Sequence, residues 1–460
     1  LRLRFDEFDF EGQVAMNRDG DHAWDRARED ALDIFQYALN ASRVEVAMER
    51  RIRFDGGAMR IDGHSYSLDQ YGRFVLIALG KAGGTMTRAF LQQAGREAER
   101  FEGVVVAPEG TEPLPSRFRL YCGGHPSPNA ASVAAAADIL ETLQPLTERD
   151  LLVFLVSGGG SAMVEQFLEP GVSLEVIVAT HKALVESGAP IAAINAVRKH
   201  LSAVKGGRLA AAAVPAEQMT IFVSDVPEGE LDALSSGPTL PDRSTTEDVY
   251  RIAEEYGLAA KVPGVISEML TGRVLVETPK PGDGIFARSR WSVLLDSVSL
   301  EEAAAARARE LGWHVEIDNR CDDWSAERAA AYLLERVREL RLGRERVCLL
   351  SAGEVTVQVT SGATGKGGRN QHFALLCSEA IAGGEITVLS AGSDGIDGNS
   401  PAAGALVDGS TMARADAAGR SVAAALSAFD SYSLLALLGD TVMTGPTGNN
   451  LRDLRILLAP

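Results

Sequence analysis

One lysine, several carboxylates and a run of glycines stand where apolar, strand-like runs end. Lys81 follows "RFVLIALG" (73–80). Ser157, Gly158, Gly159, Gly160 and Ser161 follow "LLVFLV" (151–156), and Asp225 follows "MTIFV" (219–223). Glu354 comes after an apolar run at 347–351, and Asp394 and Asp397 lie in "GSDGIDG" after "ITVLS" (386–390). In open α/β sheets, ligands bind beyond the carboxyl ends of the strands, so these are the positions where chemistry is expected. Glycine lets the backbone come close to a ligand and adopt positive φ. A helix that follows adds N–H donors and a positive dipole end. "SGGGSA" can therefore offer several N–H groups and two hydroxyls to one anion, phosphate above all. A tight strand-to-helix turn is the other reading of the same letters.

A second anion candidate is "TGKGGRNQH" (364–372), with Lys366 and Arg369 set among Gly367 and Gly368, and Asn370 opening a helix that turns Phe373, Leu376 and Ile381 inward. Arginine offers a planar donor fork suited to phosphate or carboxylate. The acidic set, Asp225, Glu354, Asp394 and Asp397, offers hard oxygen ligands of the kind Mg²⁺ takes. Asp225 reads equally as ligand, general base or turn residue, and Asp394 and Asp397 also fit plain Asp-Gly turns. The stretch "NAVRKHLSAVKGGRLA" (195–210) is locally basic, and Arg198 and Lys199 are its candidates for a substrate anion. His200 reads as structural. His125, in "GGHPSPN" (123–129), is a candidate substrate contact, and Thr444, Thr447 and Asn449 either bind a ligand or hold a turn.

Elements must position these groups. Near-continuous apolar runs alternating with helix-like segments, such as 85–100 and 173–188, predict parallel sheets covered on both faces. Residues 24–39 place Ala31, Phe35 and Leu39 on one helical face. Ser299 and Glu302 have capping-box spacing before a helix that Gly312 stops, and Ser325 can cap a helix to about Leu340. "VTVQVTSG" (355–362) alternates like a half-exposed antiparallel strand, which makes the second sheet mixed. The Ser/Thr/Pro/Asp-rich segment 235–248 suggests a boundary near 240. The expected organisation is an irregular extension at 1–24 and two α/β domains. These are an N-terminal Rossmann-like parallel sheet at 25–240 and a C-terminal mixed-sheet domain at 241–460.

The chain of 460 residues carries a net charge of −18, which repels nucleic acid and anionic membrane. No apolar run reaches membrane-spanning length. The first residues resemble neither a signal core nor a transit peptide, so a cytoplasmic protein is expected. Cysteines 122, 321, 348 and 377 lack metal or disulfide spacing. There is no Gly-x-x-x-x-Gly-Lys-Ser/Thr, and no Gly-x-Gly-x-x-Gly after the first strand, which argues against a P-loop protein and a nicotinamide dehydrogenase.

Taken together, "GKAGGTM", "GGHPSPN", "SGGGSAM", "NAVRKHLSAVKGGRLA", "SDVPEGELDALSSGPT", "GKGGRNQ", "SDGIDG" and "GDTVMTGPTGNNLRDL" resemble, in order, the glycerate 2-kinases of the MOFRL type. The resemblance runs from about residue 25 to the end, with the MOFRL region at about 345–460. It implies two α/β domains with the active site in the cleft between them. It also implies phosphorylation of D-glycerate to 2-phosphoglycerate with ATP and Mg²⁺. The family's functional lysine falls on Lys81 and its functional arginine on Arg369. On that reading Lys81, Arg369 and Asp225 are catalytic. Ser157 to Ser161, Lys366 to Gly368 and Asn370 hold the nucleotide's phosphates, and Asp225, Glu354, Asp394 and Asp397 serve the metal. Some members are labelled hydroxypyruvate reductases, so reduction of hydroxypyruvate is one alternative, and a non-catalytic sugar-acid or nucleotide binder is another. A homodimer is left open. The chain departs from the family pattern at Val355, His372, Glu230, Asn129 and Pro401, which bears on substrate choice and the metal shell.

Overall fold

The computed structural model describes residues 23–360 and 362–460. Its contacts group 47–294 into one compact unit and join 23–46 to 295–460 in another. The expected division at 240 is therefore displaced. The segment after 240 is not a linker, because its strand Ser289–Leu295 returns to the first sheet. Of the expected extension, residues 1–22 lie outside the described residues, while Ala23 and Trp24 already begin a helix.

In the first unit, strands β1 (Ile52–Asp55), β2 (Ala58–Ile61) and β3 (His64–Ser67) form a small antiparallel sheet. The main sheet holds β4 (Arg73–Leu79), β5 (Phe101–Ala107), β6 (Phe118–Cys122), β7 (Asp150–Ser157), β8 (Glu217–Val223) and β9 (Ser289–Leu295), in the order β6-β5-β4-β7-β8-β9. The pairings among β4 to β8 are parallel. Every residue of β7 is buried, and so is all of β4 after Arg73, because helices cover both faces. The chain leaves β4 to one side and returns to its other side as β7, so the strand order reverses between them. Such a reversal opens a crevice at the strands' carboxyl ends. Lys81 follows β4 and the 157–161 turn follows β7, so the sequence's two strongest candidates share that crevice.

In the second unit, strands β10 (His314–Ile317), β11 (Val347–Ala352), β12 (Thr387–Gly392), β13 (Gly404–Val407), β14 (Thr441–Val442) and β15 (Asp453–Ala459) run in the order β10-β11-β15-β12-β13-β14. Only the β10–β11 pairing is parallel, so the sheet is mixed as expected. The reason differs from the expected one. Residues 355–360 form no strand beyond a single bridge of Thr356 to Ser325, and the strands that run against the others are β15 and β13. Because β15 runs against β11 and β12, its first residue lies at their carboxyl ends, with Ala352 opposite Leu454 and Gly392 opposite Asp453.

Helix Ala23–Ala41 buries Ala31, Phe35 and Leu39, as the spacing predicts, and Arg28 ties it to Asp408 (2.6 Å) and Asp440 (2.8 Å). Helix Ser297–Glu310 starts one turn earlier than expected, because Asp296 and Ser299 form the capping box. Ser325 caps Ala326–Arg341 as expected. All four cysteines are free thiols, three of them buried. No described helix is long and apolar enough to cross a membrane.

Candidate active site

The crevice beside β4 and β7 is built from close backbone approach. Ser157 Oγ accepts the N–H of Ala82 (3.0 Å), and Lys81 N–H donates to the Gly158 carbonyl (2.8 Å), locking the two loops together. A Cβ on Gly158 would collide with the Asp225 carboxylate, and one on Gly159 (φ +87°) would crowd Lys81 Cγ and His125 Cδ2 at 3.0 and 3.1 Å. The glycines are therefore required. They let Lys81, His125 and Asp225 converge on one turn, at the start of helix Gly160–Met163. Lys81 is exposed and Asp225 half-buried. Desolvation, and then the neighbouring Lys81 charge, lower the pKa of His125 and favour the neutral ring.

Behind this turn stands a second layer that the sequence reading did not assign. Ser235 (φ +50°) donates to the Ser157 carbonyl at 2.7 Å, and Ser236 (φ +59°) lies 2.6 Å from Ser161 Oγ. Ser236 also reaches Asn195 Oδ1 (3.5 Å), linking the turn to helix Ile191–Leu201. The letters "SSGP" announce only a turn; the left-handed backbone of two consecutive serines is seen in the structure alone.

The basic stretch on that helix is largely committed to the interior. Lys199, expected to bind substrate, is buried, and its ammonium pairs with Asp232 (2.9 Å) and Asp242 (3.2 Å). His200 is structural as expected, bonded to the Ala196 carbonyl and Glu277 at 2.9 Å each. Lys205 is buried against Glu165, whose carboxylate also meets His181 Nε2 (2.9 Å) and accepts from Ser202 Oγ (2.6 Å). Burial alone would raise the Glu165 pKa, but Lys205 and His181 hold it down at about 2. Arg198 differs: its Nε is buried and meets no hydrogen-bond partner among the described residues.

In the other unit, Arg369 opens helix Arg369–Ala380. Its Nε and Nη2 bind Asp453 at 2.6 and 3.2 Å, and Nη2 also meets Glu354 at 2.8 Å. Burial works against the guanidinium's charge, but the two carboxylates outweigh it and raise its pKa. Asp453, the first residue of β15, was missed because nothing local sets it apart. Only the antiparallel return of β15 brings it to Glu354. Asp394 lies at the same sheet edge, where a Cβ on Gly392 would be 3.1 Å from its Oδ1 and 3.3 Å from Asp453 Oδ1.

Three expected site residues have other work. Asp397, expected as a metal ligand, is buried, and its carboxylate accepts the N–H groups of Asn370 (3.1 Å) and Gln371 (2.9 Å), closing the helix's first turn. Burial raises its pKa to about 6, while those N–H bonds pull the other way. Asn370, expected at a phosphate, is buried and accepts from Ser390 Oγ at 2.6 Å. Lys366 lies over the Tyr432 ring at 4.4 Å, and its N–H donates to Asp430. Gly367 and Gly368 line a cavity of about 690 Å³ with Arg369, His372, Asp394 and Phe429. His372, where the family pattern has Glu, stacks on Phe429 with ring centroids 5.7 Å apart.

Among the described residues no group of three His, Cys, Asp or Glu side chains comes together to hold a metal. The acidic set does not form a protein cage. An ion brought with a nucleotide would find a single carboxylate in Asp225 or in Asp394.

Comparison with known proteins agrees with this architecture. A domain of unknown function (DUF4147) matches residues 30–271, and the MOFRL family matches 347–453. The chain is 38% identical to the D-glycerate 2-kinase of Thermotoga maritima over 84% of its own length and 90% of the relative's. It is 37% identical to a putative hydroxypyruvate reductase of Agrobacterium vitis, over 84% and 87%. The crystal structure of a Thermotoga maritima glycerate kinase superposes with a TM-score of 0.82 at 34% identity, covering 95% of this chain and all of that one. The reversal point beside β4 and β7, the clamped arginine and these matches agree, and the chain belongs to the MOFRL-type glycerate kinase family.

Proposed function

We propose that this protein transfers the γ-phosphoryl group of ATP to the 2-hydroxyl of D-glycerate, giving 2-phosphoglycerate. The convergence of Lys81, His125 and Asp225 on the glycine turn at the strand-order reversal carries this reading. Phosphoryl transfer asks the protein mainly for positioning and charge stabilisation. The N–H groups of Gly158 to Ser161 cradle phosphate oxygens, and the Lys81 ammonium neutralises charge on the group in flight. Arg369, on which the family's functional arginine falls, is the cation assigned to the reaction in the other unit. Its Nε edge is held by Asp453 and its Nη2 by Glu354, which fixes the plane of the guanidinium. Arg198, half-buried on helix Ile191–Leu201, supplies the cation for glycerate's carboxylate. Asp225 accepts the hydroxyl proton as the bond to phosphorus forms, and His125, favoured neutral, contacts the acid. When bound with the nucleotide, Mg²⁺ supplies further charge neutralisation.

The geometry gives Arg369→Lys a definite expectation. Lysine keeps the charge but cannot hold Asp453 side-on and Glu354 at once. The expected result is a loss of about 10²-fold in kcat, the size seen when one positioned donor is removed. It would be measured by ADP release with saturating ATP and D-glycerate. Unchanged kcat would show that the fork geometry is dispensable.

A nicotinamide-dependent reduction of hydroxypyruvate is the second reading, favoured by the β6-β5-β4-β7-β8-β9 order that dinucleotide-binding sheets share. The turn after β4 reads "GKAGG" and lacks the dinucleotide fingerprint. Loss of NADH absorbance with hydroxypyruvate would favour this reading over transfer from ATP.

A further inference from the structure

The motif "GPTGNNLRDL" (445–454) was singled out by its sequence, yet the proposed chemistry uses only Asp453 from it. At its centre, Arg452 adopts φ +70°, a left-handed backbone that few residues other than glycine enter. It is nevertheless buried, and its guanidinium binds both oxygens of Asp322, at 2.5 and 2.7 Å. A strained arginine in a buried two-point ion pair is expensive to maintain, which invites a functional reading.

Its contacts reach the two carboxylates that hold Arg369 and the turn that carries Asp394. Asp322 Oδ1 accepts the N–H of Glu354 (2.9 Å), and Gly353 (φ +104°) is so close to Asp322 that a Cβ there would crowd its carboxylate at 2.7 Å. Gly353 N–H donates to the Asp453 carbonyl at 3.2 Å. The Arg452 carbonyl accepts the N–H of Ser393 (3.0 Å), the residue before Asp394. The same loop braces that turn again, through Thr447 Oγ1 to the Ser393 carbonyl (2.6 Å) and Leu451 N–H to Ser393 Oγ (2.6 Å).

We propose that the Arg452–Asp322 ion pair is a positioning device for the reaction: it sets Glu354 and Asp453 so that they hold the Arg369 guanidinium in one orientation. Neither residue touches a reacting atom, so both act through Arg369. The inference rests on the role given to Arg369 above.

The test is a double-mutant cycle on the full chain, with ADP release as readout and melting followed in parallel. In the chain with Arg369 intact, Asp322→Ala is expected to lower kcat about 10²-fold, with the KM values for ATP and D-glycerate changed less than about 3-fold. In the Arg369→Met background, the same change is expected to alter the residual kcat less than about 3-fold, because residues acting as a unit are not additive. A merely structural role would lower both backgrounds by one factor, and that result overturns the proposal, as does wild-type kcat in Asp322→Ala. Should the alanine variant fail to fold, Asp322→Asn keeps an acceptor for Glu354 N–H, loses the charge, and is judged by the same comparison. If Arg369→Met alone turns over at the wild-type rate, the role of Arg369 falls and this inference with it. If Arg369→Met is impaired while the Asp322 variants are normal, only this inference falls.

Discussion

Replacing Lys81 with Met is expected to lower kcat about 10³-fold, or about 4 kcal/mol of transition-state stabilisation, while the fold stays intact. Lys81 sits at the end of β4, exposed, with its stem along Gly159. Among the described residues it has no ion pair of the kind that Lys199 and Lys205 make. Its backbone N–H fixes the Gly158 carbonyl at 2.8 Å, and that bond survives the substitution. The melting midpoint should therefore move by no more than about 2 °C, as for other surface substitutions. Removing the cation takes away charge neutralisation at the moment when charge spreads over the transferring oxygens. The loss should thus appear in kcat rather than in KM for ATP. Wild-type turnover in Lys81→Met would remove the assignment.

Replacing Lys205 with Met is expected to cost about 3–5 kcal/mol of stability, because it leaves a buried carboxylate without its cation. Glu165 and Lys205 are both almost fully enclosed, and among the described residues His181 is the only other titratable group bonded to that carboxylate. The pH dependence follows in sign. In the wild type, the Glu165 pKa is depressed to about 2 against an ordinary 4.5. Its contribution to stability is thus present above about 4.5 and is lost as pH falls from there through about 2. Without Lys205, burial dominates and raises the Glu165 pKa above its ordinary 4.5, so the variant should gain stability as pH falls through the raised value toward about 4.5, where the wild-type term stays level. Urea unfolding of both proteins at pH 8 and pH 5 measures the difference. Equal stability at pH 8 would mean that the pair contributes nothing. A double variant, Glu165→Gln with Lys205→Met, should recover part of the loss, since neither charge then remains buried.

What the sequence made legible follows from the range of its signals. Apolar runs of strand length ending in glycine or an acid located β4, β7, β8, β11 and β12, and with them Lys81, the 157–161 turn and Asp225. Those are local patterns, and the sheet places them where strand ends belong. The division near 240 was misplaced because turn-forming residues say nothing about where the next strand pairs, and β9 pairs with the first sheet. Lys199 looked available because its partners, Asp232 and Asp242, lie more than thirty residues away. Asp397 looked like a ligand because an acidic residue among glycines reads the same whether it meets a metal or the first N–H groups of a helix. Asp453 was invisible for the opposite reason, as one aspartate opening an apolar strand, given meaning only by antiparallel pairing. The alternation in 355–360 was real, but no neighbouring strand was there to pair with it, and the segment lines a cavity instead.

The most direct measurement is ADP release by the purified full chain with ATP and D-glycerate, with the product identified by ³¹P spectroscopy. The account predicts one ADP for each glycerate consumed, a phosphoryl group on the 2-oxygen, and turnover that falls steeply in Lys81→Met. It would be contradicted if no ADP is released above the background without acceptor while NADH is oxidised by hydroxypyruvate, or if the phosphoryl group appears on the 3-oxygen.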